Sequence, residues 1–411
     1  MNQKIRINQK RLQRRLEEMA MFGKTAAGGV SRIALTEEDK LGRETLITWL
    51  KEEQCEVHID AMGNIFGVYP GKNRALAPVL TGSHNDTQPK GGRFDGTLGV
   101  IAGVEVISTL RENSIKLERD VILANWTNEE GTRFTPGCTG SGVWSGKLSQ
   151  EEMYLLKDQE GKTFGEELEK IGFKGSAQYP PLPLHAAFEL HVEQGPVLDS
   201  SDVTIGIPEG IVSPRWYDVD IYGEANHAGS TPMLCRQDAL YAFSKIHQRI
   251  RDLAVEAGEV VATVGQITAS PNSRNVIASH VHFTIDVRGW DVAKTDNVCA
   301  GIEEAIATIA SADQCQVEIE HTWREDRADF DQALLKQIEE SANQLGLTSM
   351  RMYSGASHDM IYINQVARGA MIFVPSVGGK SHTEIEETSY ADCGAGADVL
   401  LQCIMKSAND L

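Results

Sequence analysis

Four short apolar runs of this 411-residue chain end abruptly in polar loops that carry histidine or glutamate. They read APVLTGSH, RDVILANWTNEEG, AAFELHVEQG and GAMIFVPSVGGKSH. A short continuous apolar run is typical of a strand that is buried on both faces of a sheet. Because open α/β sheets bind ligands beyond the carboxyl ends of such strands, this repeated pattern constrains both the fold and the position of a site.

The segments around these runs predict an α/β fold. LGVIAGVEVISTLREN lies between the first two runs and has helical character, which gives a strand–helix–strand pattern. Upstream, a helix capped near Thr36 precedes a hairpin whose turn carries Met62, Gly63 and Asn64. We therefore expect a central, mostly parallel sheet flanked by helices.

Residues 213–327 show a different pattern of predicted strands and helices. Alternating strands such as WYDVDIYGEANH and VHFTIDVRGW are interspersed with two long helical segments. This pattern predicts an inserted α+β sandwich domain with an antiparallel sheet and two helices. The predicted organisation is a catalytic metal-binding domain over 1–212 and 328–411, interrupted by the inserted domain over 213–327.

Charge and hydrophobicity exclude several classes of partner. The net charge is -19, with acidic residues spread along the chain, which argues against nucleic acid or an anionic membrane as the main partner. The stretch KRLQRRLEE is the one basic candidate, and such runs are usually solvated helix faces. No apolar run approaches the roughly 20 residues of a membrane span. A small-molecule substrate fits this composition better.

The N-terminal segment and the cysteines indicate the cellular compartment. The N-terminal segment lacks the apolar core of a secretory signal, which predicts retention in the cytoplasm. The 7 cysteines are widely spaced and form no CxxC pair. We therefore expect reduced thiols, with neither a disulfide framework nor a thiolate zinc site.

Five residues that each lie just after a predicted strand are candidate metal ligands, namely His84, Asp95, Glu130, His191 and His382. Nitrogen and oxygen ligands without thiolate suit zinc, manganese or cobalt in an open catalytic site. A site for two ions needs a bridging carboxylate, because only a carboxylate can give one oxygen to each ion. Asp95, which follows the GGRF turn, is the candidate bridge.

The neighbours of these ligands suggest further roles. Glu129 adjoins Glu130 on a turn, so one carboxylate can bind metal while Glu129 acts as general base. Asp86 lies two residues after His84, a spacing at which its carboxylate can accept the ring N–H and fix the tautomer. The glycines at 91 and 92 are expected to let the chain turn so that Asp95 reaches the same ions as His84.

Two further features near the candidate site are not assigned a catalytic role. His358 and Asp359 form a second plausible ligand pair, which we interpret as supporting structure. Asn85, between His84 and Asp86, has no role that the sequence explains.

The motifs GSHNDTQPKGGRFDG, TNEEGTRF, ELHVEQGPVL, ANHAGSTPM, SGASHDM and MIFVPSVGGKSHTE carry a resemblance that covers about Phe22 to Ser389. In order and spacing the chain resembles the hydantoinase/carbamoylase family of metal-dependent amidohydrolases. That family includes N-carbamoyl-L-amino-acid hydrolases, β-ureidopropionases and allantoate amidohydrolases, and is related to zinc aminopeptidases and carboxypeptidases. The chain departs from the family at Asn85, where an apolar residue is usual, and in HTEIEET, which replaces a proline-containing stretch.

The resemblance implies a dinuclear centre with His84, Asp95 and His191 on one ion and Asp95, Glu130 and His382 on the other. It also implies that a water activated by two metal ions hydrolyses a ureido C–N bond, with Glu129 moving the proton. The products would be an amino acid, ammonia and CO2.

The same resemblance implies a homodimer formed through the inserted domain, which closes over the substrate. His227 would hold the scissile carbonyl oxygen, Asn275 and Arg288 the substrate carboxylate, while Gln194 and the main chain around Ser357 complete the pocket. The planar fork of Arg288 suits a bidentate carboxylate contact. From the residues alone, an ion pair between Arg288 and Asp286 or Asp291 is an equal alternative, and His227 could be an ordinary loop histidine.

Other functions stay open at this point. An allantoate amidohydrolase, a dipeptidase or an aminoacylase would use the same metals on a different carbonyl. A ligand-binding clamp without catalysis is a further alternative, against which stands the presence of every ligand and of Glu129. Metal analysis separates these classes, since an enzyme of this kind would bind about two transition-metal ions per chain.

Overall fold

The strands and helices alternate along the chain. A computed structural model describes residues 5–176, 179 and 183–410. The elements up to residue 211 are α1 Gln9–Met19, α2 Glu37–Glu52, β1 Glu56–Ile59, β2 Ile65–Tyr69, β3 Val79–His84, α3 Thr97–Glu112, β4 Val121–Trp126, α4 Thr139–Trp144, α5 Gln150–Tyr154, α6 Phe164–Lys170, β5 Ala186–Val192, α7 Val197–Ser201 and β6 Ile205–Ile211. Those that follow are β7 Ser213–Tyr222, α8 Ala239–Ala257, β8 Val260–Ser270, β9 His280–Gly289, α9 Val292–Ala312, β10 Gln316–Arg324, β11 Ala328–Asp329, α10 Gln332–Leu345, β12 Ser349–Ser354, α11 Met360–Ile363, β13 Gly369–Val374 and α12 Tyr390–Ser407. Short 3-10 helices lie at Met233–Cys235 and Val377–Gly379.

The larger sheet has the strand order β1-β2-β4-β3-β5-β13-β6-β11, and β12 pairs with β6. Its central strands β4, β3, β5 and β13 are parallel, and every residue in them is buried. The flanking strands β2 and β6 pair antiparallel with this centre. The predicted parallel sheet is therefore confirmed at the centre, while the complete sheet is mixed.

Local signals set the elements that precede the site. The side chain of Thr36 accepts a hydrogen bond from the main-chain N–H of Asp39 and caps α2. In the hairpin of β1 and β2, the carboxylate of Asp60 accepts the main-chain N–H groups of Met62 and Asn64 and closes the turn. The predicted helix cap and hairpin turn are thus confirmed.

The chain divides into two compact units, Met1–Gly210 with Asp329–Leu411 and Ile211–Ala328. The second unit contains an antiparallel sheet of order β10-β7-β9-β8. Residues of β7 and β9 alternate between buried and half-buried, and the buried ones pack against α8 and α9. The predicted antiparallel sheet with two helices is confirmed; the boundaries expected from the sequence were 213 and 327. None of the helices in the described part of the chain combines the length and apolar character needed to cross a bilayer.

Candidate metal centre

The five predicted ligands lie in the first unit and form two overlapping triplets. The potential ligand atoms of His84, Asp95 and His191 lie within 4.8 Å of one another, and so do those of Asp95, Glu130 and His382. Asp95 belongs to both triplets. Its Oδ1 lies 3.2 Å from Nε2 of His191, and its Oδ2 lies 3.3 Å from Nε2 of His382. One carboxylate therefore presents a different oxygen to each triplet.

Parallel strands bring the first ligands together. His84 is the last residue of β3, while Glu130 lies in the loop after β4. His191 lies inside β5, because the pairing of β5 with β13 continues to Val192. His382 lies well beyond the end of β13, after a 3-10 helix. Asp95 lies just before α3. The expectation that each ligand lies just after a strand is therefore wrong for Asp95, His191 and His382, while His84 is the last residue of its strand.

Asp86 contacts the centre in an unexpected way. Nδ1 of His84 lies 2.9 Å from the main-chain oxygen of Asp86 and 3.9 Å from its carboxylate Oδ1. Because a carbonyl oxygen only accepts, Nδ1 carries the proton and Nε2 keeps a lone pair for a metal. The carboxylate instead accepts the main-chain N–H groups of Glu129 at 3.3 Å and Glu130 at 3.2 Å. The prediction that this side chain fixes the tautomer is wrong, since the main chain does so and the side chain holds the glutamate loop.

The glycines of the first loop also differ from the prediction. Neither of the glycines at 91 and 92 has a left-handed φ. A Cβ on the second would lie 2.0 Å from Oε1 of Glu386, whose carboxylate accepts the main-chain N–H groups of residues 94 and 95. The left-handed glycine is Gly96, with φ 62°, where a Cβ would lie 2.3 Å from the ring of His84. The glycine at 92 thus admits Glu386, and Gly96 makes the turn beside the ligand.

The adjacent glutamates point to different partners. Glu129 is 8% exposed, and its Oε2 lies 3.3 Å from Nε2 of His84. Its Oε1 accepts a hydrogen bond from Sγ of Cys138 at 3.5 Å. Oε2 of Glu130 accepts Nε2–H of Gln88 at 2.6 Å. The two carboxylates therefore point in different directions, as expected if Glu129 is a base and Glu130 a metal ligand. Their partners Cys138 and Gln88 were not among the residues predicted from the sequence.

Burial and close packing shift the pKa values of the centre. Burial lowers the pKa of His84 to about 4 and raises that of Glu130 to about 8. His191 is buried and the side chain of His382 is 51% exposed, but the contacts of both with Asp95 and neighbouring carboxylates raise each pKa to about 9. Despite its own burial, Asp95 has a pKa well below the usual range because these two histidines donate to it. Loading such a centre with metal would therefore release protons.

A buried layer lies behind the centre. The ring of His358 packs edge-on against His191, with 4.4 Å between ring centroids, and Glu189 joins them in a third group of potential ligand atoms. Asp359 accepts a hydrogen bond from Oγ of Ser141 in α4. These contacts fit the interpretation of His358 and Asp359 as supporting structure.

Gln194 reaches the centre, while Ser357 adjoins the buried layer. Gln194 has a left-handed φ of 60°, and its Nε2 donates to Oδ2 of Asp95 at 2.9 Å. The same nitrogen lies 3.2 Å from Nε2 of His382. Oγ of Ser357 is buried without a hydrogen-bond partner among the described residues.

The remaining predicted residues belong to the second unit. His227 and Asn275 are exposed, and the main-chain oxygen of Asn275 accepts the N–H of the residue after His227, which holds the two loops together. Nδ1 of His227 accepts the main-chain N–H groups of residues 229 and 230 at 3.0 and 3.1 Å. Arg288 forms a bidentate pair with Asp286 at 3.0 and 2.8 Å. The ion pair considered as an alternative for Arg288 is therefore present.

Asn85 and Arg32 lie beneath the first loop. Asn85 is 1% exposed, and neither polar atom of its side chain has a hydrogen-bond partner among the described residues. Its main-chain oxygen accepts Nε–H of Arg32 at 2.7 Å. Buried Arg32 also donates to Oγ1 of Thr97 at 2.9 Å, so it ties the loop after β3 to the start of α3. No pattern in the sequence indicated this contact of Arg32.

The chain is similar to known proteins in both sequence and structure. The sequence profile of peptidase family M20/M25/M40 matches residues 80–406. The chain belongs to this family. The M20 chain is 40% identical over 404 residues to an N-carbamoyl-L-amino-acid amidohydrolase of Rhizobium meliloti, covering 98% of this chain and 97% of that protein.

Two further similarities bear on the M20 chain. A crystal structure of an amidase of the hydantoinase/carbamoylase family from Burkholderia vietnamiensis matches with a TM-score of 0.96 and 41% identity over 100% of both chains. A ureidoglycolate hydrolase of Arabidopsis thaliana is 30% identical over 411 residues, covering 97% of this chain and 86% of that protein. The resemblance drawn from the sequence motifs is thus confirmed, and the M20 chain is a hydrolase.

Proposed function

We propose that this protein hydrolyses the ureido C–N bond of an N-carbamoyl-L-amino acid or of N-carbamoyl-β-alanine. One water is consumed, ammonia leaves, and the resulting carbamate decomposes to the amino acid and CO2. The observation that carries the proposal is the pair of ligand triplets that share Asp95. The similarity to an N-carbamoyl-L-amino-acid amidohydrolase over nearly the whole chain supports the carbamoyl group as the target.

The donor set suits two divalent metal ions. His84, Asp95 and His191 would hold one ion, and Asp95, Glu130 and His382 the other. Imidazole and carboxylate donors without thiolate fit zinc, manganese or cobalt. Bound ions of this kind supply Lewis acidity, which polarises a carbonyl and makes water a nucleophile near neutral pH.

Glu129 is proposed as the general base and acid. Its Oε2 would take the proton of the attacking water and deliver it to the departing nitrogen. Burial, together with Asp359 and neighbouring carboxylates, raises the pKa of Glu129, which favours a side chain that can hold a proton between the two steps. Asp86 would keep the carboxylate in place through the main chain of residues 129 and 130.

His227 is proposed to bind the scissile carbonyl oxygen. Because its Nδ1 accepts two main-chain N–H groups, the neutral ring carries its proton on Nε2. A fixed Nε2–H donor is suited to an oxygen on which negative charge develops.

Arg288 and Asn275 are proposed to bind the carboxylate of the substrate. The guanidinium of Arg288 already holds the carboxylate of Asp286 in a bidentate pair, the same geometry that a substrate carboxylate would use. Gln194 and the main chain around Ser357 are proposed to complete the pocket.

The second unit is proposed to form a homodimer contact. Its edge strand β8 exposes Val261 at 62% and Ile267 at 47%, and an edge strand with exposed apolar side chains favours association. Sedimentation equilibrium should give the mass of two chains at micromolar concentration. A monomer under those conditions would contradict the dimer without touching the catalytic proposal.

The substrate proposal is tested with metal-loaded protein against N-carbamoyl-L-amino acids, N-carbamoyl-β-alanine, allantoate, ureidoglycolate and a dipeptide panel. We expect one ammonia per amino acid released from a carbamoyl substrate. Higher turnover of allantoate would favour an allantoate amidohydrolase, and higher turnover of ureidoglycolate would favour a ureidoglycolate hydrolase, the activity for which the similar Arabidopsis thaliana protein is named. Cleavage of dipeptides without ammonia release would overturn all three.

A further inference from the structure

The general base proposed above is held at two points by one residue. Cys138 is 2% exposed, and its Sγ lies 3.5 Å from Oε1 of Glu129. The main-chain N–H of Cys138 also donates to the main-chain oxygen of Glu129 at 2.8 Å. The other carboxylate oxygen, Oε2, lies 3.3 Å from Nε2 of His84. One oxygen of Glu129 therefore faces a thiol, and the other faces the metal centre.

Cys138 has a backbone conformation that favours glycine over any residue with a side chain. The residue has φ 50° and ψ 31°, in the left-handed region, immediately before α4. A side chain in this conformation is strained, and glycine would adopt it freely. The Cys138 side chain makes no capping hydrogen bond to α4, so helix capping does not account for it.

The thiol is suited to donate. Burial, together with the charges of Glu129 and Asp359, raises the pKa of Cys138 well above its usual value, so the sulfur keeps its proton. A thiol is a weak hydrogen-bond donor, but the hydrogen bond is strengthened when the acceptor is a charged carboxylate.

We propose that Cys138 is a positioning residue, whose thiol donates to Oε1 of Glu129 and so leaves Oε2 free to move the proton in the reaction. The inference rests on the proposed role of Glu129 as the base. Cys138 itself touches neither substrate nor metal in this proposal; it acts on the reaction by fixing the rotation of the Glu129 carboxylate.

Kinetics of three substitutions test this role. Cys138→Ala and Cys138→Gly should each lower kcat about tenfold at unchanged KM and unchanged metal content, the size of effect expected from losing one hydrogen bond to a charged group. Cys138→Ser keeps a donor and should recover most of the lost kcat. Cys138→Gly is the sharpest variant, because it relieves the left-handed strain while removing the thiol. A Cys138→Gly enzyme with the kcat of the wild type would overturn the proposal.

The matched control is Cys403→Ala. Cys403 is also buried, and its Sγ donates to Oγ of Ser341, a neutral oxygen between α12 and α10. The same chemical change there should leave kcat unaltered. An equal fall in kcat for Cys403→Ala and Cys138→Ala would mean that loss of a buried thiol acts through general destabilisation, which contradicts the positioning role.

An infrared measurement reads the contact without any substrate. The S–H stretch of Cys138, isolated as the difference between wild type and Cys138→Ala, should lie at lower frequency than that of Cys403 and should rise in Glu129→Gln, because an amide oxygen accepts more weakly than a carboxylate. An S–H stretching frequency of Cys138 that is the same in wild type and Glu129→Gln would overturn the inference. Failure of the proposed function looks different, since the wild type would then release no amino acid, or Glu129→Gln would stay active, while the S–H band still responds to residue 129.

Discussion

The metal centre of the first unit and the proposed substrate residues of the second are built in opposite ways. His84 and His191 are each 1% exposed, and they contact other ligands or the main chain, while His382 at the rim of the centre has a side chain that is 51% exposed. His227 and Asn275 are exposed and are held by their own loops. The difference suggests that the buried centre responds to substitution in an all-or-none manner, whereas the exposed loops tune binding by degrees.

Charge separates the two regions as well. The centre concentrates carboxylates and imidazoles whose pKa values are displaced by burial and by one another. In the second unit, Arg288 meets a carboxylate of its own sheet, Asp286, and both side chains keep partial contact with water. The proposed metal centre is thus a cluster of unlike charges, whereas Arg288 is a single cation whose present partner is the carboxylate that a substrate is proposed to replace.

The largest effect is expected inside the centre, from the same change made at two neighbouring residues. Glu129→Gln should lower kcat about 1,000-fold with metal content intact, because general acid–base catalysis is worth roughly 100- to 10,000-fold. Glu130→Gln should lose bound metal, since it removes a ligand charge from one triplet. Turnover and metal content by atomic emission are measured together.

That pair also contains its own control. The two variants differ only in which of two adjacent carboxylates is neutralised, so a shared folding defect would affect both alike. Equal metal loss in the two variants would contradict the division between base and ligand.

A smaller, graded effect is expected in the second unit. Arg288→Gln should raise KM roughly 10- to 100-fold at nearly constant kcat, because one charge-assisted hydrogen-bonding group for the substrate carboxylate is lost. Asp286→Asn is the matched variant, since it removes the competing partner and should leave KM unchanged or lower it. If Arg288→Gln depleted the metal or lowered kcat alone, the contrast between the two regions would not hold.

The pH dependence of stability should distinguish the centre further, in protein stripped of metal by a chelator. The pKa of Glu130 at about 8 and of His191 and His382 at about 9 all lie above their unfolded values. Between the unfolded and the folded pKa of each group, the folded state binds more protons than the unfolded state. The free energy of unfolding therefore falls as pH rises from about 6.5 to about 9. The pKa of His84, lowered to about 4, acts in the opposite direction but only below about 6.5.

Calorimetry against pH measures this effect. The unfolding temperature of chelated protein should fall between pH 7 and pH 9, whereas metal-loaded protein, whose ligands are already deprotonated, should vary much less. A rising unfolding temperature in the chelated protein over that range would contradict the assigned directions.

The smallest effect is expected at Asn85. Because neither polar atom of its buried side chain has a partner among the described residues, Asn85→Leu should raise the free energy of unfolding by about 1 kcal/mol. Asn64 is the control, since it is equally buried but hydrogen-bonds to Asp60, Gly140 and the N–H of Thr127. Asn64→Leu should therefore lose stability in the same urea titration. Equal losses at both positions would show that Asn85 has partners after all.

The sequence was most informative where a single segment contains both the structural signal and the chemistry. The run APVLTGSH predicts a buried strand and places His84 at its end, where the structure has it. The two-helix, antiparallel organisation of the second unit could be predicted for the same reason, because its periodicity is local.

Contacts between distant segments could not be predicted. Glu386 accepts the main-chain N–H groups of Phe94 and Asp95 from a loop nearly 300 positions away in the chain, so no spacing pattern links them. The role of Asp86 was misassigned for a related reason: its separation of two residues from His84 allowed either the side chain or the main chain to reach the ring, and only backbone geometry decides between them.

Left-handed residues other than glycine recur beside this centre, at Asn128, Cys138, Gln194 and His382, with φ between 50° and 60°. Glycine at such positions removes steric strain, so a library screened only for heat resistance would tend to accept it. At Cys138, Gln194 and His382 the same exchange would delete a side chain proposed to act in the reaction. Anyone engineering this enzyme for industrial durability should therefore hold these positions fixed and seek stability elsewhere.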